Sequence, residues 1–278
     1  MNYRHAYHAG NFADVLKHAA LVSVLNHLRR KPSPFAVIDT HAGRGLYDLS
    51  GVEAGKTNEA QDGILKLREA PALPESIAAY VETVSAFGEM NYPGSPLIAA
   101  RALREKDRLV AVEKHEEEFL ALRAALAPHA GARAVKGDGY RELAKLLPPP
   151  ERRGLVLIDP PFEEDDELEN AVQALIAAHR RFATGIYLFW YPAKDRAGIT
   201  RAVGEMLHAN IAELLRIELD IGADEDVERE PLTATGLLVV NPPYGFAAAM
   251  RETVDFLGLH LARGEGAGGF VDVLAGEG

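Results

Sequence analysis

The sequence predicts a doubly wound α/β fold: a mostly parallel seven-stranded sheet with one strand reversed, helices on both faces, and a small helical insertion. Three observations point to it. Short apolar runs alternate with stretches of helical periodicity. Three successive strands each end in an acid or a glycine turn, so one sheet edge gathers polar groups. The strands at 212–219 and 235–240 are joined by a charged loop without a helical period. A parallel crossover normally needs a dozen or more structured residues, so the strand at 235–240 is expected to run against the rest.

In chain order, Phe12, Val15, Leu16, Ala19, Val22 and Leu25 follow helical spacing over 11–30, with Asn11 as N-cap. FAVID (35–39) is a buried strand, and THAGRG follows it as a turn. Residues 57–105 read as helical, with breaks at Pro71, Pro74 and YPGSP (92–96). RLVAVE (108–113) is a strand. HEEEFLALRAAL (115–126) is a helix with acids in its first turn, where the helix dipole favours them. ARAV (132–135) and GLVLID (154–159) are strands, and a helix spans about 167–182. GIYLFWY (185–191) is a strand, followed by a helix over about 195–209, the reversed pair, and a last helix over about 245–262. FVDVL (270–274) reads as a final edge strand. The whole of 1–278 is expected to form one domain, with an N-terminal helical segment at 1–31 and a helical insertion at about 48–95.

With 47% hydrophobic and 26% charged residues, the chain has enough apolar material for one large core. No apolar run approaches a membrane span, and MNYRHAYHAG lacks the apolar region of a signal peptide. A cytoplasmic protein without a membrane partner is expected. The absence of cysteine excludes disulfides and thiolate metal sites. A net charge of −11 is unusual for a nucleic-acid binder. The acids, however, gather in runs such as EEDDELE (163–169), while residues 1–50 hold six Lys/Arg against three Asp/Glu. A basic N-terminal face on an acidic body is compatible with a phosphate-bearing partner.

VIDTHAGRG (37–45) ends a strand in Asp39 and turns through Gly43 and Gly45. The third glycine of the dinucleotide fingerprint is absent, which disfavours a NAD(P) oxidoreductase. The pattern is closer to the first motif of S-adenosylmethionine-dependent methyltransferases. Glu113 closes the next strand, where a carboxylate can accept two hydroxyl protons of a ribose diol. It lies 74 residues beyond Asp39, against about 20 usually, and the insertion accounts for the excess. After the third strand, Asp138, followed by Gly139, is placed to accept from an adenine amino group. Each feature alone is an ordinary strand end or Asp-Gly turn. Their succession along one edge is harder to explain that way.

Two stretches compete for the chemistry: LVLIDPPFEE (155–164) and LLVVNPPYGF (237–246). An apolar strand, an acid or amide, two prolines and an aromatic ring suit methylation of an exocyclic amino group. Asp159 and the Pro160 carbonyl would accept the amino N–H bonds and favour a localised lone pair. Phe162 would stack on an unstacked base. NPPY is the more usual spelling, but it ends the reversed strand. Ligands in such sheets bind beyond the carboxyl ends of the parallel strands, so Asn241 is expected far from the site, ending a strand and entering the last helix.

YRHAYHAGNFADVLKH (3–18), DTHAGRGLY (39–47), YPGSP, RRGLVLIDPPF (152–162) and RFATGIYLFWYP (181–192) together resemble the bacterial 23S ribosomal RNA adenine-N6 methyltransferases of the RlmJ type. The likeness runs from the first residues to about 245. It implies a class I, Rossmann-like methyltransferase fold with a helical insertion. It also implies a monomer that methylates one adenine of protein-free 23S ribosomal RNA, with S-adenosylmethionine becoming S-adenosylhomocysteine. By this resemblance Asp159 is the catalytic residue, with Pro160 and Phe162 beside it. His18, His41, Ser95, Glu113, Asp138, Gly139 and Asp159 surround the cofactor. Tyr3 touches the RNA, and His5 and Lys17 belong to the same block. The family commonly has Tyr at the position of Phe162, which keeps stacking but loses a hydroxyl.

Five of the ten histidines fall within the first 41 residues, without the spacing of a metal site, and no metal is expected. A packed His18 and a solvated Lys17 are the plain alternatives on their helix. A DNA adenine-N6 methyltransferase and a non-enzymatic module binding S-adenosylmethionine or a nucleotide are the competing functions. The acidic body and the lack of an obvious DNA-reading domain count against the first; failure of S-adenosylmethionine to stabilise the fold would favour the second.

Overall fold

The first helix, α1 (Phe12–Arg29), begins where the sequence supplies a cap: the Asn11 side chain accepts from the amides of Ala13 and Asp14. In the computed structural model, which describes residues 8–51, 59–223 and 232–276, α1 is buried on nearly every face. Asp14, Lys17 and His18 are buried with it. A helix so enclosed cannot leave a charge unpaired.

The sheet is built from β1 (Ala36–Asp39), β4 (Arg108–Glu113), β5 (Ala132–Lys136), β6 (Gly154–Ile158), β7 (Ile186–Pro192), β8 (Leu214–Asp220), β9 (Ala234–Val240) and β10 (Gly268–Ala275). Their order is β10-β8-β9-β7-β6-β1-β4-β5. β1 pairs in parallel with both β4 and β6, so the chain leaves β1 in one direction and later returns on its other side. A ligand crevice belongs at that switch point. As expected, β9 is antiparallel to its neighbours β7 and β8. The sheet departs from the expectation in having eight strands rather than seven. β10 adds to the edge antiparallel to β8, so two strands are reversed rather than one.

Alternation along the strands divides the core. Val37, Leu155, Leu157 and Leu188 face one cluster, which includes α1, α2 (Glu75–Ser85), α3 (Ser95–Ala102), α4 (Glu116–Leu126) and α8 (Phe246–His260). Ile38, Val156, Ile158, Tyr187 and Phe189 face the other, under α5 (Gly139–Leu146), α6 (Glu167–Arg181) and α7 (Arg196–His208). The long stretch between β1 and β4 is not purely helical. β2 (Leu46–Asp48) and β3 (Asn91–Pro93) form a small antiparallel ribbon around a π-type turn (Gln61–Leu65) and α2. α5, directly after the GDG turn, was not expected from the sequence. No helix of the described residues is long and apolar enough to cross a membrane.

Candidate active site

The carboxyl ends of β1, β4, β5 and β6 open into one cleft of about 950 Å³. At the end of β1, Thr40 Oγ1 donates to the Leu157 carbonyl at 3.0 Å and staples β1 to β6. The chain then turns through Gly43 (φ 61°) and Gly45 (φ 88°). Glu113 holds this turn in place: its carboxylate accepts from Gly43 N at 2.9 Å and His115 N at 2.7 Å. A carboxylate has about four lone-pair sites, so Glu113 keeps capacity for ligand hydroxyls. Asp138 caps α5 by accepting from Arg141 N at 3.1 Å. Gly139 is needed beside it, because a Cβ there would lie 2.3 Å from the Thr40 carbonyl and 2.9 Å from the His41 ring. His41, its ring edge-on to Tyr140 at 5.0 Å, is pulled down to about pH 4 by its enclosure, against the upward pull of Asp159 and Asp138. It is neutral at physiological pH.

Three carboxylates meet around Lys17. Its ammonium lies 2.8 Å from Asp14 Oδ1 and 2.5 Å from Asp159 Oδ2. Burial alone would lower the Lys17 pKa, but the two carboxylates outweigh it and hold the group well above its ordinary value. Asp159 Oδ1 has no partner among the described residues. Asp39 is buried and has no cation in contact. Ser95 Oγ donates to its Oδ2 at 2.7 Å, and its Oδ1 has no partner in good hydrogen-bonding geometry. Burial pushes this carboxyl up to about 7, opposed by the Ser95 bond and reinforced by the charge of Asp159.

Phe162 sits after the two prolines with φ 52°. It stacks on Phe189 at 6.4 Å and meets Trp190 edge-on at 5.7 Å. Trp190 is fixed by donating to Thr235 Oγ1 at 2.6 Å, and Tyr140 OH donates to Glu167 at 2.6 Å across the cleft.

His18, His41, Ser95, Glu113, Asp138, Gly139, Asp159, Pro160, Phe162 and Lys17 all line this one cleft. Tyr3 and His5 lie outside the described residues. Lys17 reaches Asp159 rather than an open surface, and is only 4% exposed. Sequence reasoning passed over Asp14, Trp190, Tyr140 and Glu167. Of these, only Asp14 had a local signal, its i,i+3 spacing to Lys17 on a helix. Asn241 lies at the opposite edge of the sheet, since Val240 pairs with Tyr187 near the start of β7. Its amide donates to the carbonyls of Ala183 and Gly185 at 2.8 and 2.7 Å, and Tyr244 is 96% exposed.

The chain is similar to known proteins over most of its length. The family model described as "Ribosomal RNA large subunit methyltransferase D, RlmJ" matches residues 32–272. The chain is 40% identical over 261 residues to ribosomal RNA large subunit methyltransferase J of Escherichia coli, covering 92% of each. It is 39% identical over 262 residues to the protein of that name from Haemophilus influenzae, again covering 92% of each. A crystal structure of a Legionella pneumophila protein superposes with a TM-score of 0.86 at 33% identity, over 96% of this chain and 98% of that one.

Proposed function

The chain belongs to the RlmJ family of ribosomal RNA large subunit methyltransferases, and we propose that it methylates N6 of one adenine in protein-free large-subunit ribosomal RNA. S-adenosylmethionine, when bound, supplies an electrophilic methyl group and leaves as S-adenosylhomocysteine. The cleft suits such a cationic ligand: a buried carboxylate at Asp39 with one oxygen in want of a partner, a neutral imidazole at His41, and acids at Glu113 and Asp138. Asp39, Ser95 and His18 would hold the amino-acid end, Glu113 the ribose diol, and Asp138 with Gly139 the adenine.

The observation that carries the reading is the asymmetry of Asp159. Lys17 occupies Oδ2 and leaves Oδ1 for a substrate N–H. Oδ1 and the Pro160 carbonyl would accept the two N6–H bonds and favour the pyramidal, nucleophilic amine. Phe162 and Trp190 offer aromatic faces to an unstacked base. As the N–C bond forms, N6 gives up a proton, which Asp159 takes late and passes to solvent at the cleft mouth. Tyr3 and His5, ahead of α1, would meet the RNA strand.

The test is transfer of a labelled methyl group from S-adenosylmethionine to protein-free ribosomal RNA, with the product nucleoside identified. N6-methyladenosine from the wild type and none from Asp159→Ala is the expected result. An active Asp159→Ala enzyme, or a methyl group on another atom, would overturn the reading.

A further inference from the structure

The cleft is rich in acids, among them Glu116, Glu117, Glu163 and Glu164, so a polyanion needs a hold elsewhere on the molecule. The opposite edge of the sheet offers one. There the chain leaves α1 through Arg29, Arg30 and Lys31 and enters β1, while Arg104 precedes β4 and Arg153 precedes β6. Ala36 is in register with both Arg108 and Gly154, which brings the three connections side by side.

A helix ends with carbonyls that it cannot pair and with the negative end of its dipole. At the end of α1 two guanidiniums meet that need. Arg153 donates to the Leu28 and Ser33 carbonyls at 2.6 and 3.0 Å. Arg104 donates to the Lys31 and Ser33 carbonyls at 2.7 and 3.0 Å and is anchored on the buried Asp107. The helix end is thus served without the Arg29, Arg30 and Lys31 side chains. All three residues are exposed, and these side chains make no hydrogen bond or ion pair among the described residues. Arg153 has five N–H donors and spends two of them on the two carbonyls. In the turn before β4, the exposed Glu105 and Lys106 offset each other. The positive charges therefore crowd together. His27, in the last turn of α1, has its pKa lowered by burial and then by Arg30, Arg153 and Lys31, and that of Arg153 is lowered by burial and then by Arg104. An anion bound at this edge would relieve the repulsion.

We propose that Arg29, Arg30, Lys31 and Arg153 form a surface that binds the phosphates of the RNA chain flanking the methylated adenine. The choice of RNA as the polyanion rests on the proposed methyltransferase reading. α1 connects the two sites: its amino-terminal half lines the cleft and its last residues carry the cations. Arg30 lies 12 residues beyond His18, or about 18 Å along the axis at about 1.5 Å per residue, a span that an RNA segment of several nucleotides covers. The division of labour follows from the chemistry. The cleft handles a base, while the far edge grips backbone phosphates, which give affinity and register without reading sequence.

The experiment compares the full chain with a triple variant, Arg29→Gln, Arg30→Gln and Lys31→Gln, by filter binding of protein-free ribosomal RNA across a range of KCl and by methyl transfer. Each lost phosphate contact lowers the steepness of log Kobs against log salt by about 0.7. The triple variant should therefore lose about 2 from the slope and bind RNA about tenfold or more weakly at about 100 mM KCl. KM for RNA should rise with it, while kcat and the affinity for S-adenosylhomocysteine stay as in the wild type. A control with the same net charge, Arg180→Gln, Arg201→Gln and Arg251→Gln, removes exposed cations from α6, α7 and α8. It should keep the wild-type slope. A triple variant with the wild-type slope and KM, or a control that loses as much as the triple variant, would overturn the proposal. If the triple variant does not fold, Lys31→Gln alone, beyond the end of α1, should lose about 0.7 from the slope, and an unchanged slope would overturn it. If the wild type binds RNA but transfers no methyl group, the methyltransferase reading falls and the surface is judged on its salt slopes. If the wild type does not bind RNA, the surface proposal falls.

Discussion

Asp14, Asp39 and Asp159 are buried or nearly so around a single ammonium, yet only two of them touch it. Asp39 receives a serine hydroxyl instead and is lifted from 3.8 to about 7 by burial. Between about pH 4 and about pH 7, an acid raised in this way is protonated in the folded chain while ionised in the unfolded one. Stability therefore falls as pH rises from about 4 to about 7 and is flat above. The full cost, once the group is ionised, is at most about 4 kcal/mol. Asp39→Asn is accordingly expected to raise the melting temperature near pH 8, to lose that advantage toward pH 4, and to weaken S-adenosylhomocysteine binding. Melting curves across this range, with calorimetry at pH 8, test it; a constant advantage at every pH would contradict it. Phe162 acts through its ring face. Base–aromatic stacking is worth about 1–3 kcal/mol, so Phe162→Ala should lower kcat/KM on RNA by about ten- to a hundredfold without changing cofactor affinity. A loss of cofactor affinity would instead place the ring against the cofactor.

Among the elements, the two proline motifs separate by strand direction. β6 delivers Asp159 to the cleft, while β9 delivers Asn241 to the far edge, where its amide ties the turn before β7. Asn241→Ala should cost about 1–2 kcal/mol of stability through those carbonyl bonds. Turnover per folded molecule should be unchanged, as measured by urea denaturation beside methyl transfer. Lost turnover in a folded variant would give NPPY a catalytic role. This reversal was legible because the 219–235 stretch has no helical period, and a parallel return needs one. The ribbon β2–β3 was not legible: three-residue strands have no periodicity, and Tyr47 finds Tyr92 only in the folded chain. α5 was missed because only Gly139 and Leu143 of its eight residues are buried, too few to mark a stripe. Asp138 was read as a ligand and a turn, and its capping role went with that helix. β10 was read as the edge strand FVDVL (270–274), but not its antiparallel pairing with β8, because its eight residues begin with two glycines and burial along it is only partial. The strand-end residues of the site were readable one by one. The Lys17–Asp159 pair, 142 positions apart, was not.

For the molecule as a whole, charge decides how the two substrates arrive. The cleft carries Glu116, Glu117, Glu118, Glu163, Glu164 and Glu167 against Lys114, Lys194 and Arg263, on a chain of net charge −11. Such a field draws in a cation and repels a polyanion. RNA affinity must then rest on a small number of phosphate contacts near the basic N-terminal block, with base stacking supplying much of the rest. Each phosphate neutralised on a single strand contributes about −0.7 to the slope of log Kobs against log salt. About four contacts give a slope no steeper than about −3. Salt also screens repulsion from the acidic body, which flattens the slope further. Filter binding of protein-free ribosomal RNA between about 50 and 300 mM KCl should therefore show a shallow dependence. Binding of cationic S-adenosylmethionine should weaken over the same range, because screening removes an attraction. An RNA slope of about −5 or steeper would mean that a larger basic surface contacts the strand, and that binding is driven by the phosphates rather than by the base.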